Sequence, residues 1–138
     1  MRKIDQIVVH CSATRCNQNF PVTELIRCHA ERFGYTGYHY YITRNGRIYQ
    51  TRNENLIGAH AVGYNRHSIG VCYEGGLDEL GRYDDTRTPA QKEALLTLLR
   101  RLKAKYPQAE ILGHRDLPGV DKGCPCFDAI PEYQDIFP

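Results

Sequence analysis

Apolar residues along the chain fall in short runs separated by polar stretches that carry Gly and Pro, and the period within each run predicts its element. The run "IDQIVVHCS" is β-branched and bounded by Ser/Thr, which predicts a buried strand over Ile4 to Cys11 ending at His10 and Cys11. In "FPVTELIRCHAERFG" a proline stands near the start, Leu25, Ile26 and Cys28 to Phe33 recur at helical spacings, and Gly34 supplies a stop, so this is a helix. The stretch "GYHYYITRNGRIYQTR" places two β-rich runs around Asn45-Gly46, the strongest short hairpin signal. A polar loop, "NENLIGAHAVGYNRH", leads into a second buried strand in "SIGVCYEGG". "TPAQKEALLTLLRRLKAKYP" is an amphipathic helix with Thr88 as its cap, Pro89 at its first position and Pro107 as its stop. "AEILGH" then predicts a strand that delivers His114 at its end, and a short helix follows from about Asp128.

This order of strand, helix, hairpin, strand, helix, strand predicts an α/β fold with a central mixed sheet and helices packed on its faces. No repeat, linker or low-complexity stretch interrupts it, so one domain over residues 1–138 is expected. A chain of 138 residues can bury roughly two-thirds of its unfolded surface and needs no staples. Its net charge of +2 gives no polyanion-binding footprint, so nucleic acid is not an expected partner. Near the N-terminus only "IVVH" is close to continuously apolar, too short for a signal-peptide core or a membrane span. Synthesis in the cytoplasm, without export or membrane insertion, is therefore the expectation. Six cysteines could make three disulfides, but a chain with a core of this size and no visible export signal is expected to keep them reduced. Metal binding or catalysis is then the better use for some of them.

His10 and His114 each fall at the end of a predicted apolar strand, where open α/β sheets gather ligands. Cys124 follows in the irregular loop "DKGCPCFD". Two imidazoles and a thiolate make a zinc set that leaves one tetrahedral position open. Such a set leaves the ion able to polarise a carbonyl and to lower the pKa of water towards ~7. Taken alone, His10 reads as a packed core histidine; only the combination points to a metal. Cys126 is the rival ligand. Alternating side chains would point it away from Cys124 in an extended segment, and both thiols together would close the site into a structural one. His29 and His67 read as surface, and Arg115 with Asp116 either orients His114 or forms a salt-bridged turn.

The blocks "IVVHCSAT", "GYHYYITRNG", "GAHAVGYNRHSIGVCYEGG", "TPAQKEALLTLL" and "GHRDLPGVDKGCPCFD" occur in this order. Together, over roughly Ile4 to Asp128, they resemble the zinc-dependent N-acetylmuramoyl-L-alanine amidases of the bacteriophage-lysozyme type, relatives of the peptidoglycan recognition proteins. The resemblance implies cleavage of the amide between the lactyl group of N-acetylmuramic acid and L-alanine. It implies one zinc ion held by His10, His114 and Cys124, with Tyr38 and Lys122 assisting catalysis and His60 and Asn65 lining a substrate groove, although a loop-stabilising hydrogen-bond role is the alternative for these last two. Lys122 would supply a cation and Tyr38 a hydroxyl donor to the oxyanion. Tyr38 is also the leading candidate to take a proton from water, since no glutamate base has an obvious counterpart. Cys126 becomes a packing residue. The implied biology is a monomeric phage or prophage endolysin acting on peptidoglycan, or an enzyme working on muropeptide fragments in the cytoplasm. A non-catalytic muropeptide-binding module is the alternative, and the presence of Cys124 favours the enzyme.

Overall fold

The computed structural model describes residues 2–137. Its core is a sheet of five strands: β1 (Gln6–Cys11), β3 (Tyr40–Ile42), β4 (Ile48–Gln50), β5 (Ser68–Tyr73) and β7 (Glu110–Gly113), in the order β4-β3-β5-β1-β7. β1 runs parallel to both β5 and β7, β3 is parallel to β5, and only the β3–β4 hairpin is antiparallel. The sheet is therefore mixed, as expected. The connections that parallel pairing requires are long, and they carry the helices α1 (Val22–Phe33) and α2 (Pro89–Lys105).

Side chains alternate across a strand, so each face of the sheet collects every second residue. On one face Ile7, Val9, Tyr40, Ile42, Ile69, Val71 and Tyr73 pack with Leu95, Leu98, Leu99 and Leu102 of α2 in one cluster. Full burial of each of these leucines contributes about 1.5–3 kcal/mol. The other face holds Val8 and Leu112 with Ala61 and Leu117, and beside them Tyr41 and Cys72 with Leu25 of α1. His10 shares the parity of Val8, so the alternation of β1 places it on the α1 face at the C-terminal end of a central strand.

The ends of the helices follow their local signals. Thr88 accepts the Gln91 N–H while the Gln91 side chain accepts the Thr88 N–H, a reciprocal capping box with Pro89 at the first helical position. Gln91 is fully buried and also donates to the carbonyls of Ile42 and Glu74, which ties the start of α2 to the sheet. Gly34 ends α1 in the left-handed conformation (φ 80°). A short α3 (Ala129–Tyr133) is the last helix among the described residues.

The structure departs from the sequence-based expectation in small elements. The hairpin strands are only three residues each, because the turn extends from Thr43 to Arg47 with Asn45 Oδ1 accepting from both ends. A second sheet of two parallel strands, β2 (Thr14–Arg15) and β6 (Gly76–Leu77), extends the ends of β1 and β5. No helix among the described residues is long and apolar enough to cross a membrane.

Candidate metal centre and active-site cleft

A cleft of about 690 Å³ opens at the C-terminal ends of the parallel strands, with α1 on one side and the 118–124 loop on the other. At its floor β1 delivers His10, and β7 runs into a single 3₁₀ turn that begins with His114. Cys124 comes from the loop beyond. The candidate ligand atoms of these three residues all lie within 4.8 Å of one another. Two imidazole nitrogens and a sulfur so gathered suit zinc, which takes this donor set with one position left open.

Cys124 and His10 are held from behind. The Cys11 N–H, at the end of β1, donates to Cys124 Sγ at 3.1 Å. The Arg115 N–H donates to the Cys124 carbonyl (2.9 Å), and the Tyr73 hydroxyl donates to the Pro125 carbonyl (2.5 Å). A β-carbon at Gly113 would lie 2.7 Å from Pro125 Cδ, so the glycine of the "GH" pair is what lets this loop approach β7. His10 is almost wholly buried and its Nε2 lies 2.9 Å from His60 Nδ1. Burial, followed by the neighbouring His60, His114 and Lys122, holds the His10 pKa well below its ordinary value. Burial and then Lys122 lower that of His114 as well. Both rings are thus kept neutral, the form in which imidazole ligates a metal.

Around this set the structure separates the remaining candidates. Tyr38 packs its ring 5.1 Å from His10 on one side and 5.1 Å from His29 on the other. Burial raises its pKa well above the ordinary phenol value, so it presents a hydroxyl donor. Lys122 is exposed and lines the same cleft. His60 and Asn65 also line it, but their polar atoms are engaged internally. Asn65 Oδ1 accepts the N–H groups of His60 (2.9 Å) and Ala61 (2.8 Å), and the second His60 nitrogen lies 3.0 Å from Ser68 Oγ.

Cys126 lies outside the ligand set. Its backbone adopts φ 73°, and its sulfur donates to the Gly76 carbonyl at 3.2 Å and lies 3.8 Å from Cys11 Sγ. Arg115 pairs with Asp128 (2.7 Å) and Asp116 accepts the Gly113 N–H (2.8 Å), so these residues brace the turn instead of touching the His114 ring. His67 is exposed. His29, expected at the surface, is instead half-buried in the cleft wall, where its Nδ1 accepts the Gly37 N–H at 2.8 Å. Its place on the inward face of α1, four residues before Phe33, was the available signal.

Residues 1–127 match the family model described as N-acetylmuramoyl-L-alanine amidase. The chain is 45% identical to the endolysin of Escherichia phage T7 over 126 residues, covering 90% of this chain and 82% of that protein. It is 40% identical to the endolysin of Klebsiella phage KP32 over 129 residues, covering 92% of this chain and 83% of that protein. Among solved structures it superposes on the N-acetylmuramoyl-L-alanine amidase LysC from Clostridium intestinale with a TM-score of 0.77 at 32% identity, covering 95% of this chain and 82% of that one. With a match over most of its length, and a cleft that gathers two histidines and a cysteine at the strand ends, the chain belongs to the N-acetylmuramoyl-L-alanine amidase family.

Proposed function

We propose that the chain is a zinc-dependent amidase of the endolysin type, which hydrolyses the bond between the lactyl group of N-acetylmuramic acid and L-alanine in peptidoglycan. The observation that carries this reading is the convergence of His10, His114 and Cys124 at the floor of an open cleft also lined by Tyr38 and Lys122. A zinc ion held there would supply Lewis acidity and bring the pKa of water towards ~7. The chain's own residues do the rest. The cleft positions the lactyl carbonyl over the ligand set, and water adds to its carbon. The Lys122 ammonium and the Tyr38 hydroxyl stabilise the charge that develops on the carbonyl oxygen. The C–N bond then breaks and alanine leaves as the amine, its nitrogen having taken up the proton that the attacking water gave up. Because one chain supplies every residue of the site, the reading includes action as a monomer.

The test is incubation of the purified protein with isolated peptidoglycan, with and without a zinc chelator, scoring new alanine amino termini and new reducing sugar ends. Chelator-sensitive release of alanine termini without reducing ends is the expected result. Cys124→Ser should lose more than the about 10- to 100-fold that removal of an outer partner of a metal ligand costs. Co-sedimentation with the wall without release of either end would make the protein a binding module, and full hydrolysis by Cys124→Ser would remove that residue from the site.

A further inference from the structure

Behind His10 runs a chain of hydrogen bonds whose direction a metal would dictate. His10 Nε2 lies 2.9 Å from His60 Nδ1, and His60 Nε2 lies 3.0 Å from Ser68 Oγ. Two neutral imidazoles share one hydrogen across the first of these bonds, and only one placement leaves His10 able to ligate. A ligating nitrogen must present a lone pair. Since Nε2 of His10 is occupied by His60, the nitrogen left for a metal is Nδ1, and the ring's single hydrogen must sit on Nε2 and be donated to His60. His60 then carries its own hydrogen on Nε2 and donates it to Ser68. The opposite placement puts a hydrogen on His10 Nδ1 and removes it as a ligand.

The surroundings of His60 are shaped to keep its ring in this place. A β-carbon at position 70 would lie 2.6 Å from His60 Cγ and 2.9 Å from Nδ1, so only glycine at this point of β5 leaves a slot for the imidazole. The Asn65 side chain holds the His60 and Ala61 N–H groups, which fixes the backbone from which the ring projects. His60 itself is 9% exposed, and Ser68 is fully buried.

We propose that His60, with Ser68 behind it and Asn65 holding its backbone, is a positioning residue of the metal centre that sets His10 in its zinc-binding tautomer. The inference rests on the zinc reading above. It moves His60 and Asn65 from the substrate groove to the support of a ligand.

The experiment is a zinc titration of metal-free protein against a chromophoric chelator, with circular dichroism as the check on folding. His60→Phe, which keeps an aromatic ring of somewhat larger size and removes the acceptor, should weaken zinc binding by about 10- to 100-fold. His60→Asn, whose amide oxygen can stand where Nδ1 stood, should recover part of that loss, and Ser68→Ala should weaken binding more mildly. A folded His60→Phe variant with wild-type zinc affinity would overturn the proposal and leave the zinc reading intact. Absence of zinc binding by the wild type would sink both. If His60→Phe does not fold, nitrogen-15 imidazole spectra of the zinc-loaded wild type decide the matter. A hydrogen on His10 Nε2 supports the proposal, and one on Nδ1 refutes it.

Discussion

Tyr38, Tyr40 and Tyr41 stand within four positions of one another and meet three different surroundings. Tyr40 faces α2 and gives its hydroxyl to Glu54; Tyr41 sits on the opposite face and donates to the Phe20 carbonyl at 2.6 Å. Only Tyr38, just before β3 begins, reaches the cleft and the His10 ring. A tyrosine-rich run carries no sign of which member does this, because the choice depends on where the strand starts and on which face α1 covers. The histidines at the strand ends were legible for the opposite reason: the apolar runs before them place both at the edge where the sheet hands over to loops. His29 and His60 were harder to place, since each is defined by a partner outside its own element, the Gly37 N–H in one case and the His10 ring in the other. At this scale the expected outcome for Tyr38→Phe is a fall in kcat of about 10²–10³, the usual effect of losing one oxyanion donor, with zinc content unchanged. Measuring metal stoichiometry beside turnover checks it, and a loss of zinc would recast Tyr38 as a packing residue.

The two long helices were readable because their stop and start signals agree with their apolar period, and the capping box of α2 is the clearest instance. Thr88→Ala removes the acceptor for the Gln91 N–H and should cost about 1 kcal/mol, read as a shift in urea midpoint with unchanged slope. A change beyond ~2 kcal/mol would mean that the Thr88 hydroxyl, which also donates to the Arg44 carbonyl at 2.6 Å, matters more as a link to the hairpin than as a cap. The short strands β2 and β6 escaped notice because two residues are too few to show a period of two. The loop carrying Cys124 has no periodicity to read at all. Its path is set by the space at Gly113 and by bonds from Cys11, Tyr73 and Arg115, contacts that exist only once the sheet has formed.

Taken as a whole, the molecule buries histidines in neutral form, and this makes its stability depend on pH. His39 is fully buried, accepts the Gly70 N–H at 3.0 Å, and is pushed down to about 4, chiefly by burial. Its folded-state pKa lies below the unfolded value, so its contribution is complete above the unfolded pKa of about 6.5 and is lost as pH falls towards the folded one. The size is of the order of 3 kcal/mol. The gap in unfolding free energy between wild type and His39→Asn should therefore shrink by roughly this amount between pH ~7 and pH ~4 in urea titrations. A gap that stays constant would place the His39 titration elsewhere. The central position of β1 has a consequence for altering the donor chemistry. His10 rides on a strand paired on both sides, and a slip of one residue would turn it into the α2 core. Cys124 rides on a loop outside any strand. Of the three ligands His10 is thus the one the sheet fixes and Cys124 the one a loop carries, and a change of metal preference by design should start at position 124.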